Sequence, residues 1–345
     1  MKIEIQDILS KWKLYTLVND NGMKVSFLDF GGIITNISVP DQTNTIENVV
    51  LGFKNYADYE KNSNYFGAII GRVAGRIQDA SFTIQNQTFL LEANEGDHHL
   101  HGGSGGFHQV IWRASPFQTD DTAGVKLTHK SLGGEGGYPG TIEVAVTYTL
   151  TNSNKLILDY DGKSDETTVL TMTNHSYFNL SGNLAATIHN HHVTMESNEF
   201  VELDTRLIPT GNKINVSNTP FDFRTERKLG DGINSISAQN KVANSGYDHY
   251  FIFNQNKQQS IRVKEVTSGR VMKIKTTQPG VVMYTANTLV EGLDLSEGKS
   301  RPYLGVCFET QAFPASLHHA GFPPVILKAH ELYEKQTVFS FGIER

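Results

Sequence analysis

Four short polar segments stand out because they carry side chains that can move protons. They are Gly71–Arg76, Leu100–Gly103, Asn174–Leu180 and Cys307–Gln311. Together they offer guanidinium, imidazole and carboxylate groups, and each is set in otherwise alternating, strand-like sequence. Histidines and a glutamate without a neighbouring cofactor motif indicate general acid–base chemistry on a neutral, oxygen-rich substrate.

Glu309 lies in the apolar segment Leu304–Gln311, which has the pattern of a short strand that suddenly presents a carboxylate. An ionised carboxylate on a core-facing strand costs free energy unless it is paired or used. Partial burial would raise its pKa towards the range of a general base. The alternative is a solvent-facing position on an edge strand, and this segment alone leaves both interpretations open.

His175 lies in Asn174–Leu180, a segment dense in side-chain hydrogen-bond donors. Polar and aromatic residues alternate there, and a sugar site needs this combination of hydrogen-bonding edges beside flat apolar faces. An isolated histidine is more often structural, but the length of this motif favours a functional one.

Three neighbouring histidines, His98, His99 and His101, raise the question of a metal site. His99 and His101 would share one face of a strand, but the sequence offers no obvious third ligand. The glycines that follow, Gly102 and Gly103, favour a close approach of the backbone to a ligand. We therefore expect no metal and no other cofactor, with His101 donating a hydrogen bond to a hydroxyl group.

Arg72 and Arg76 would point to one side in either an extended or a helical segment. One could form a structural ion pair while the other binds substrate hydroxyl groups as a fork. Asp248 precedes a predicted strand, and Gln278 lies in the turn-like segment Thr277–Gly280. Each is equally compatible with a turn residue and with a ligand.

Composition is typical of a globular protein and excludes several classes of function. The 345 residues are 38% hydrophobic and 19% charged, with a formal net charge of −6. The sequence shows no basic stripe, which argues against nucleic-acid binding. Cys307 is the single cysteine, so we expect no intrachain disulfide but a small buried hydrophobic residue. Because no apolar run reaches the roughly 18 residues of a membrane span and no signal-peptide pattern is present, we expect a cytoplasmic protein.

Period-two alternation of apolar residues dominates the chain and predicts β-strands. Alternating residues at 142–150 and 156–160 flank a short polar turn, which is typical of a hairpin. A second hairpin is predicted at 261–274.

Helical periodicity is scarce, with short helices predicted only at 55–62 and 224–236. The glycine-rich segment Gly133–Gly137 is too short to link two domains and is expected to be a loop between strands. We therefore predict an all-β protein, a single large antiparallel β-sandwich domain over residues 1–345.

Several segments, in this order, resemble those of aldose 1-epimerases: Gly71–Arg76, Leu100–Gly103, Asn174–Leu180, Tyr247–His249, Thr277–Gly280 and Phe308–Gln311. The resemblance implies the galactose mutarotase-like supersandwich, a large β-sandwich that needs no cofactor. It also implies that Glu309 is the general base and His175 the general acid. The implied sugar-binding residues are Arg76, His101, Asp248 and Gln278, with Tyr177 nearby. The implied partner is a small-molecule sugar, a homodimer is a possible assembly, and neither nucleic acid nor a membrane is expected.

Three positions depart from the family pattern. Gly75 stands where many members carry Asn, Gly106–Gln109 replaces a more usual Asp-Lys after Gly-Phe, and Pro314–Ser316 lacks the common Asp after Pro. These departures concern substrate preference, which the sequence leaves open among galactose, glucose, maltose and other aldoses.

Three other functions are alternatives to an aldose 1-epimerase. A sugar-binding protein without turnover would be expected to lack His175 or Glu309, and both are present. An epimerase of a phosphorylated sugar would need extra basic residues, whereas the polar segments offer Arg72 and Arg76. A glycoside hydrolase needs two carboxylates across the scissile bond, and the marked acidic candidates are Glu309 and Asp248.

Overall fold

The computed structural model describes residues 1–184, 186–254 and 260–344. In chain order its strands are β1 (Lys2–Ile8), β2 (Trp12–Val18), β3 (Lys24–Leu28), β4 (Ile34–Pro40), β5 (Ile46–Asn48), β6 (Ile69–Ile70), β7 (Arg76–Ile77), β8 (Ser81–Ile84), β9 (Gln87–Leu90), β10 (His99–Leu100), β11 (Arg113–Gln118), β12 (Thr122–Ser131), β13 (Ile142–Thr151), β14 (Lys155–Ser164), β15 (Thr168–Val169), β16 (Thr173–Asn174), β17 (Tyr177–Phe178), β18 (His191–Met195), β19 (Ser197–Leu203), β20 (Pro209–Asn215), β21 (Arg227–Lys228), β22 (Asp248–Phe253), β23 (Ser260–Glu265), β24 (Arg270–Thr276), β25 (Gly280–Tyr284), β26 (Asp294–Leu295), β27 (Gly298–Lys299), β28 (Val306–Gln311), β29 (Ile326–Leu327) and β30 (Leu332–Ile343).

The helices are short. They are α1 (Leu229–Ile233), α2 (Ala238–Val242) and the 3-10 helices Tyr56–Lys61, Gln78–Ala80, Phe107–Gln109, Glu135–Gly137, Ile188–Asn190 and Pro314–Leu317. Across the described ranges, no helix has the length and apolar character needed to cross a bilayer.

Three antiparallel sheets carry most of the strands. The largest has nine strands in the order β11-β12-β13-β14-β30-β24-β23-β18-β21, and the second has six in the order β17-β28-β25-β22-β19-β20. The third runs from β1 to β5 in sequence order. Their registered pairs are antiparallel. The predicted all-β antiparallel sandwich is therefore confirmed.

The β13–β14 hairpin shows why these strands form. Alternate residues are buried along both strands, and Tyr148 lies opposite Leu158 in the ladder. A slip of one residue would turn this apolar set towards solvent, so the alternation fixes the register. The predicted hairpin at 261–274 is also present, as β23 and β24.

The short helices follow local signals. The 3-10 helix Tyr56–Lys61 begins after Asn55, whose side chain accepts a hydrogen bond from the N–H of Ala57. Helix α1 lies inside the predicted 224–236 region, whereas α2 was not predicted. As expected, Gly133–Gly137 connects two strands, β12 and β13.

The main core lies between the nine-stranded and the six-stranded sheets. Phe308, Met283 and Phe251 from the six-stranded sheet belong to one buried cluster with Leu127 and Phe339 from the nine-stranded sheet. Because side chains alternate along a strand, the other face of the six-stranded sheet points away from this core. That face forms the floor of the site described next.

Candidate active site

A cavity of about 210 Å³ lies over the outer face of the six-stranded sheet. Six of the seven predicted site residues line it, namely Arg76, His101, His175, Tyr177, Asp248 and Glu309. The sheet provides Tyr177, Asp248 and Glu309, while the segments around β7, β10 and β16 provide the others. The fold thus brings together residues that are distant in sequence.

Strand register builds the cavity floor. Glu309 lies opposite Val282, and Val282 lies opposite Tyr250. Two residues away along each strand, the next row consists of Cys307, Tyr284 and Asp248, of which Tyr284 and Asp248 line the cavity. Strand β28 is an inner strand between β17 and β25, and Glu309 is only 3% exposed. The alternative of a solvent-facing glutamate on an edge strand is therefore wrong.

His175 reaches the cavity from the turn between β16 and β17. Its backbone N–H donates to the carbonyl of Ala68, and its own carbonyl accepts from Gly67. The Asn174 side chain accepts hydrogen bonds from the N–H and the hydroxyl of Ser176, which closes the turn. These contacts fix the backbone on either side of the imidazole.

The His175 imidazole and the Glu309 carboxylate are direct neighbours. Nε2 of His175 lies 3.5 Å from Oε1 of Glu309. Burial raises the pKa of Glu309 well above its ordinary value, with a further rise from Asp248 that Arg76 opposes. Burial lowers the pKa of His175 to about 4. These shifts favour a shared proton on Glu309 over His175.

The other nitrogen of His175 faces a sulfur atom. Sγ of Cys307 lies 3.6 Å from Nδ1 of His175. Cys307 is buried, as the sequence predicted, and burial raises the pKa of its thiol well above the ordinary value. At neutral pH the sulfur is thus a weakly polar neighbour of the imidazole, and it is no thiolate nucleophile.

His101 is oriented by the backbone. The N–H of Gly75 donates to Nδ1 of His101 at 3.0 Å. Burial, with the neighbouring His175 next in effect, lowers the pKa of His101 well below its ordinary value, so the ring is neutral at pH 7. Its single proton must then lie on Nε2, which makes that nitrogen a hydrogen-bond donor.

One potential set of metal ligands is present in the cavity. One ring nitrogen each of His101 and His175 and one oxygen of Glu309 lie within 4.8 Å of one another. A protonated Nε2 on His101 offers a cation no lone pair, so this donor set suits hydroxyl groups better than a metal. His99 lies apart from it, since its ring nitrogens contact the carbonyl of Glu92 and the hydroxyl of Tyr138.

Arg76 is held between two carboxylates. Its Nε and Nη2 donate to Glu95 at 2.6 and 2.8 Å, and its Nη1 donates to Asp248 at 3.5 Å. Burial would lower the pKa of Arg76, but Asp248 and Glu95 outweigh it and raise the pKa. Burial raises the pKa of Asp248 to about 6, against the opposing effect of Arg76.

Arg72 has a structural role, because most of its hydrogen bonds go to backbone carbonyl oxygens. It is 2% exposed, and its guanidinium donates to the carbonyls of Pro139, Gly140 and Leu132. Burial lowers its pKa to about 10. Of the two arginines, Arg76 therefore lines the cavity, while Arg72 ties loops together.

Gln278, which was predicted to bind sugar, lies outside the cavity that holds the other six predicted residues. Gln278 precedes β25 and is fully buried outside the cavity lining, and its Nε2 donates to the hydroxyl of Tyr333 at 3.0 Å. Alternate residues of β25 reach the floor instead, beginning with Val282. The segment Thr277–Gly280 therefore leads into a strand that lines the cavity, while Gln278 itself does not line it.

Sequence reasoning also missed Tyr65 and Glu95. The ring centroid of Tyr65 lies 4.8 Å from that of His101 and 5.8 Å from that of His175, so it forms an aromatic wall. Tyr65 lies shortly before the polar segment Gly71–Arg76, and this position could have indicated that it lies near the site. Nothing in the sequence around Glu95 indicates its contact with Arg76, which only the fold creates.

Comparisons with known proteins agree with this geometry. The family model of aldose 1-epimerase matches residues 13–340. Galactose mutarotase from Bos taurus is 38% identical over 324 residues, which cover 93% of this chain and 92% of that protein. Maltose epimerase from Levilactobacillus brevis is 33% identical over 328 residues, with 95% and 94% covered.

A solved structure shows the same fold. The galactose 1-epimerase from Lactobacillus acidophilus superposes with a TM-score of 0.88 at 28% sequence identity, with 100% of both chains covered. The match extends over nearly the whole sequence and the whole fold, and it includes the segments that line the cavity. The chain therefore belongs to the aldose 1-epimerase family.

Proposed function

We propose that the cavity binds a free aldose and that Glu309 and His175 interconvert its α and β anomers by opening and reclosing the ring. The observation that carries the proposal is the 3.5 Å separation of Nε2 of His175 and Oε1 of Glu309 in a buried site. In a cyclic aldose the C1 hydroxyl oxygen and the ring oxygen are bonded to the same carbon. An acid and a base that serve both oxygens must therefore lie close together.

Ring opening moves one proton each way. Ionised Glu309 removes the proton of the C1 hydroxyl while protonated His175 donates to the ring oxygen, and the bond from C1 to the ring oxygen breaks. In the bound open chain, Glu309 carries the proton and His175 is neutral. Rotation about C1–C2 presents the other carbonyl face, and the reverse transfers close the ring. The pair holds one proton throughout, so no cofactor has to supply or remove one.

The opposing pKa shifts match one half of this cycle. Burial favours the proton on Glu309 over His175, which is the distribution of the open-chain intermediate, so binding of the cyclic sugar has to move that proton to His175 before the ring opens. The neighbouring side chains would hold the hydroxyl groups: His101 through its Nε2–H, Arg76 through its free N–H groups, and Asp248 as an acceptor. The rings of Tyr65 and Tyr177 would cover the apolar edges of the sugar.

Hydrolysis of a glycosidic bond is a poorer fit. Glycosidases place two carboxyl groups about 5 Å or more apart across the bond. Here the partner of Glu309 is an imidazole, and the second carboxylate, Asp248, is engaged by Arg76. The cavity thus pairs the Glu309 carboxylate with the His175 imidazole, and it lacks the pair of unengaged carboxyl groups that a glycosidase uses.

A free disaccharide is a second candidate substrate. Part of the cavity lining is apolar; this apolar rim is formed by Leu203, Leu207, Pro209, Phe313 and Pro314. Such surfaces stack against sugar rings, and the relative from L. brevis is a maltose epimerase. A reducing-end aldose at Glu309 with a second ring on this rim would extend the same chemistry to maltose.

The decisive experiment is polarimetry on freshly dissolved α-galactose, α-glucose and maltose, with and without the protein. Acceleration of the approach to anomeric equilibrium is expected, with galactose as the preferred substrate because the mutarotase relatives are named for it. Binding without acceleration would refute catalysis. A rate that is highest with maltose would assign the apolar rim as a second sugar subsite.

We also propose a cytoplasmic location, a single domain and a homodimer as the assembly, all from sequence or family resemblance. Cell fractionation, limited proteolysis and light scattering coupled to size-exclusion chromatography would test these three points in turn.

A further inference from the structure

Glu95 is a carboxylate that lies beside the cavity without lining it. Its two oxygens accept hydrogen bonds from Nε and Nη2 of Arg76 at 2.6 and 2.8 Å. A bidentate pair of this kind fixes both the position and the orientation of a guanidinium. One edge of Arg76 is therefore occupied before any sugar arrives.

Hydrogen bonds to neighbouring residues fix the segment that carries Glu95. The Asn94 side chain accepts from the N–H of Leu100 at 2.8 Å and donates to its carbonyl at 3.0 Å. The backbones of Glu95 and His98 pair with each other at 3.1 and 2.9 Å. These bonds hold the carboxylate against Arg76, so the contact does not depend on a freely moving surface side chain.

The charges around the cavity do not favour anions. Among the described residues that line it, Arg76 is the one arginine and no lysine occurs. Its positive charge is matched by Glu95 and Asp248, and the Glu309–His175 pair, which shares one proton, adds no net positive charge. An anionic sugar would meet these carboxylates without a free cation to balance its own charge.

We propose that Glu95 determines the charge class of the sugar: by neutralising Arg76 and occupying one of its edges, it makes the cavity select neutral aldoses against sugars that carry a carboxylate or a phosphate. The inference rests on the proposed role of Arg76 in sugar binding. It makes Glu95 a positioning and specificity residue that acts through Arg76 and does not touch the substrate.

The test compares Glu95→Gln with the wild-type protein, using D-galacturonate as the anionic probe and D-galactose as the neutral one. Direct binding is measured by calorimetry, so the comparison does not require turnover. In the variant, affinity for D-galacturonate should rise by roughly tenfold or more, because one opposing charge is gone and Arg76 is freed. Affinity for D-galactose should change far less, because the amide oxygen of Gln can still accept one of the two hydrogen bonds from Arg76, and the gained affinity for D-galacturonate should weaken as salt is added.

Two further variants separate charge from shape. Glu95→Asp keeps the charge and should still exclude D-galacturonate, even if a shorter reach alters the affinity for galactose. Glu143→Gln makes the same change of net charge on an exposed residue of β13 and should leave both affinities unchanged.

The proposal is overturned if Glu95→Gln leaves the ratio of the two affinities unchanged, if both affinities shift in parallel, or if Glu95→Asp loses the exclusion as well. A wild-type protein that binds galactose but fails to accelerate mutarotation would refute the proposed catalysis and leave this comparison intact. The two failures are therefore distinguishable.

Discussion

The two faces of strand β28 have opposite environments. Phe308 points into the main core with Met283 and Phe251, whereas its neighbour Glu309 lines the cavity. Adjacent residues of one strand thus face the core and the cavity separately, because side chains alternate with a period of two. Changes to either face should affect one property and spare the other.

The largest effect is expected on the core face. Phe308→Ala should lower the free energy of unfolding by about 3–5 kcal/mol, because it leaves a cavity among buried side chains. Urea denaturation gives the loss, and polarimetry at low temperature gives kcat for the folded fraction. We expect kcat to stay within a few-fold of wild type. A small loss of stability with a large loss of kcat would contradict the separation of the two faces.

The cavity face should respond in the opposite way. Glu309→Gln keeps the shape of the side chain and removes the base, so kcat should fall by at least ~10²-fold while the urea midpoint is maintained. His175→Asn should behave similarly through loss of the acid. Because the proposed mechanism places both groups in one proton cycle, the double variant should be little worse than either single variant. Losses that multiply cleanly would show that the groups act independently.

The pH dependence of activity tests the cavity face alone, because His175 and Glu309, the proposed acid and base, both line the cavity. In the proposed mechanism the pair holds one proton, so activity should fall on the acid side as a second proton binds near the His175 pKa of about 4. It should fall again on the basic side as Glu309 loses its proton at a pKa raised by burial. The measurement is kcat/KM from polarimetry, corrected for the buffer-catalysed rate. Activity that rises steadily with pH would refute the shared proton.

The two arginines extend the comparison beyond the strand. Arg76→Ala should raise KM by about tenfold or more with a smaller change in kcat, because charge-assisted bonds to hydroxyl groups are lost. Arg72→Ala should instead lower stability by roughly 1–3 kcal/mol, because buried carbonyls lose their donor. Steady-state kinetics and urea denaturation on both variants provide matched controls. Exchanged phenotypes would reassign the two residues.

The smallest effect is expected from metal removal. The three ligand atoms of His101, His175 and Glu309 are close enough to invite a cation, but the Gly75 N–H holds His101 as a donor. Dialysis against a strong chelator should therefore leave activity unchanged, with no stoichiometric transition metal in elemental analysis. Loss of activity with the chelator and recovery with zinc would contradict the prediction that activity needs no metal.

The sequence allowed prediction of the strands and of most cavity residues for physical reasons. Alternation specifies which face of β13 and β14 is buried, and polar side chains such as Glu309 in apolar strands mark the exceptions. Gln278 was misplaced because a motif does not reveal at which residue the strand begins, and β25 begins two residues later. Glu95 was missed because its contact with Arg76 depends on the tertiary path of two loops.

The position of Val282 has an evolutionary consequence. It lies between Glu309 and Tyr250 on the cavity floor, while the residues before and after it in β25, Val281 and Met283, belong to the core. Mutations at Val282 can therefore change which sugar hydroxyl groups meet a polar or an apolar surface without disturbing the packing that holds the sheets together. A strand built in this way allows the substrate-facing surface to change while the core-facing residues of the same strand are retained.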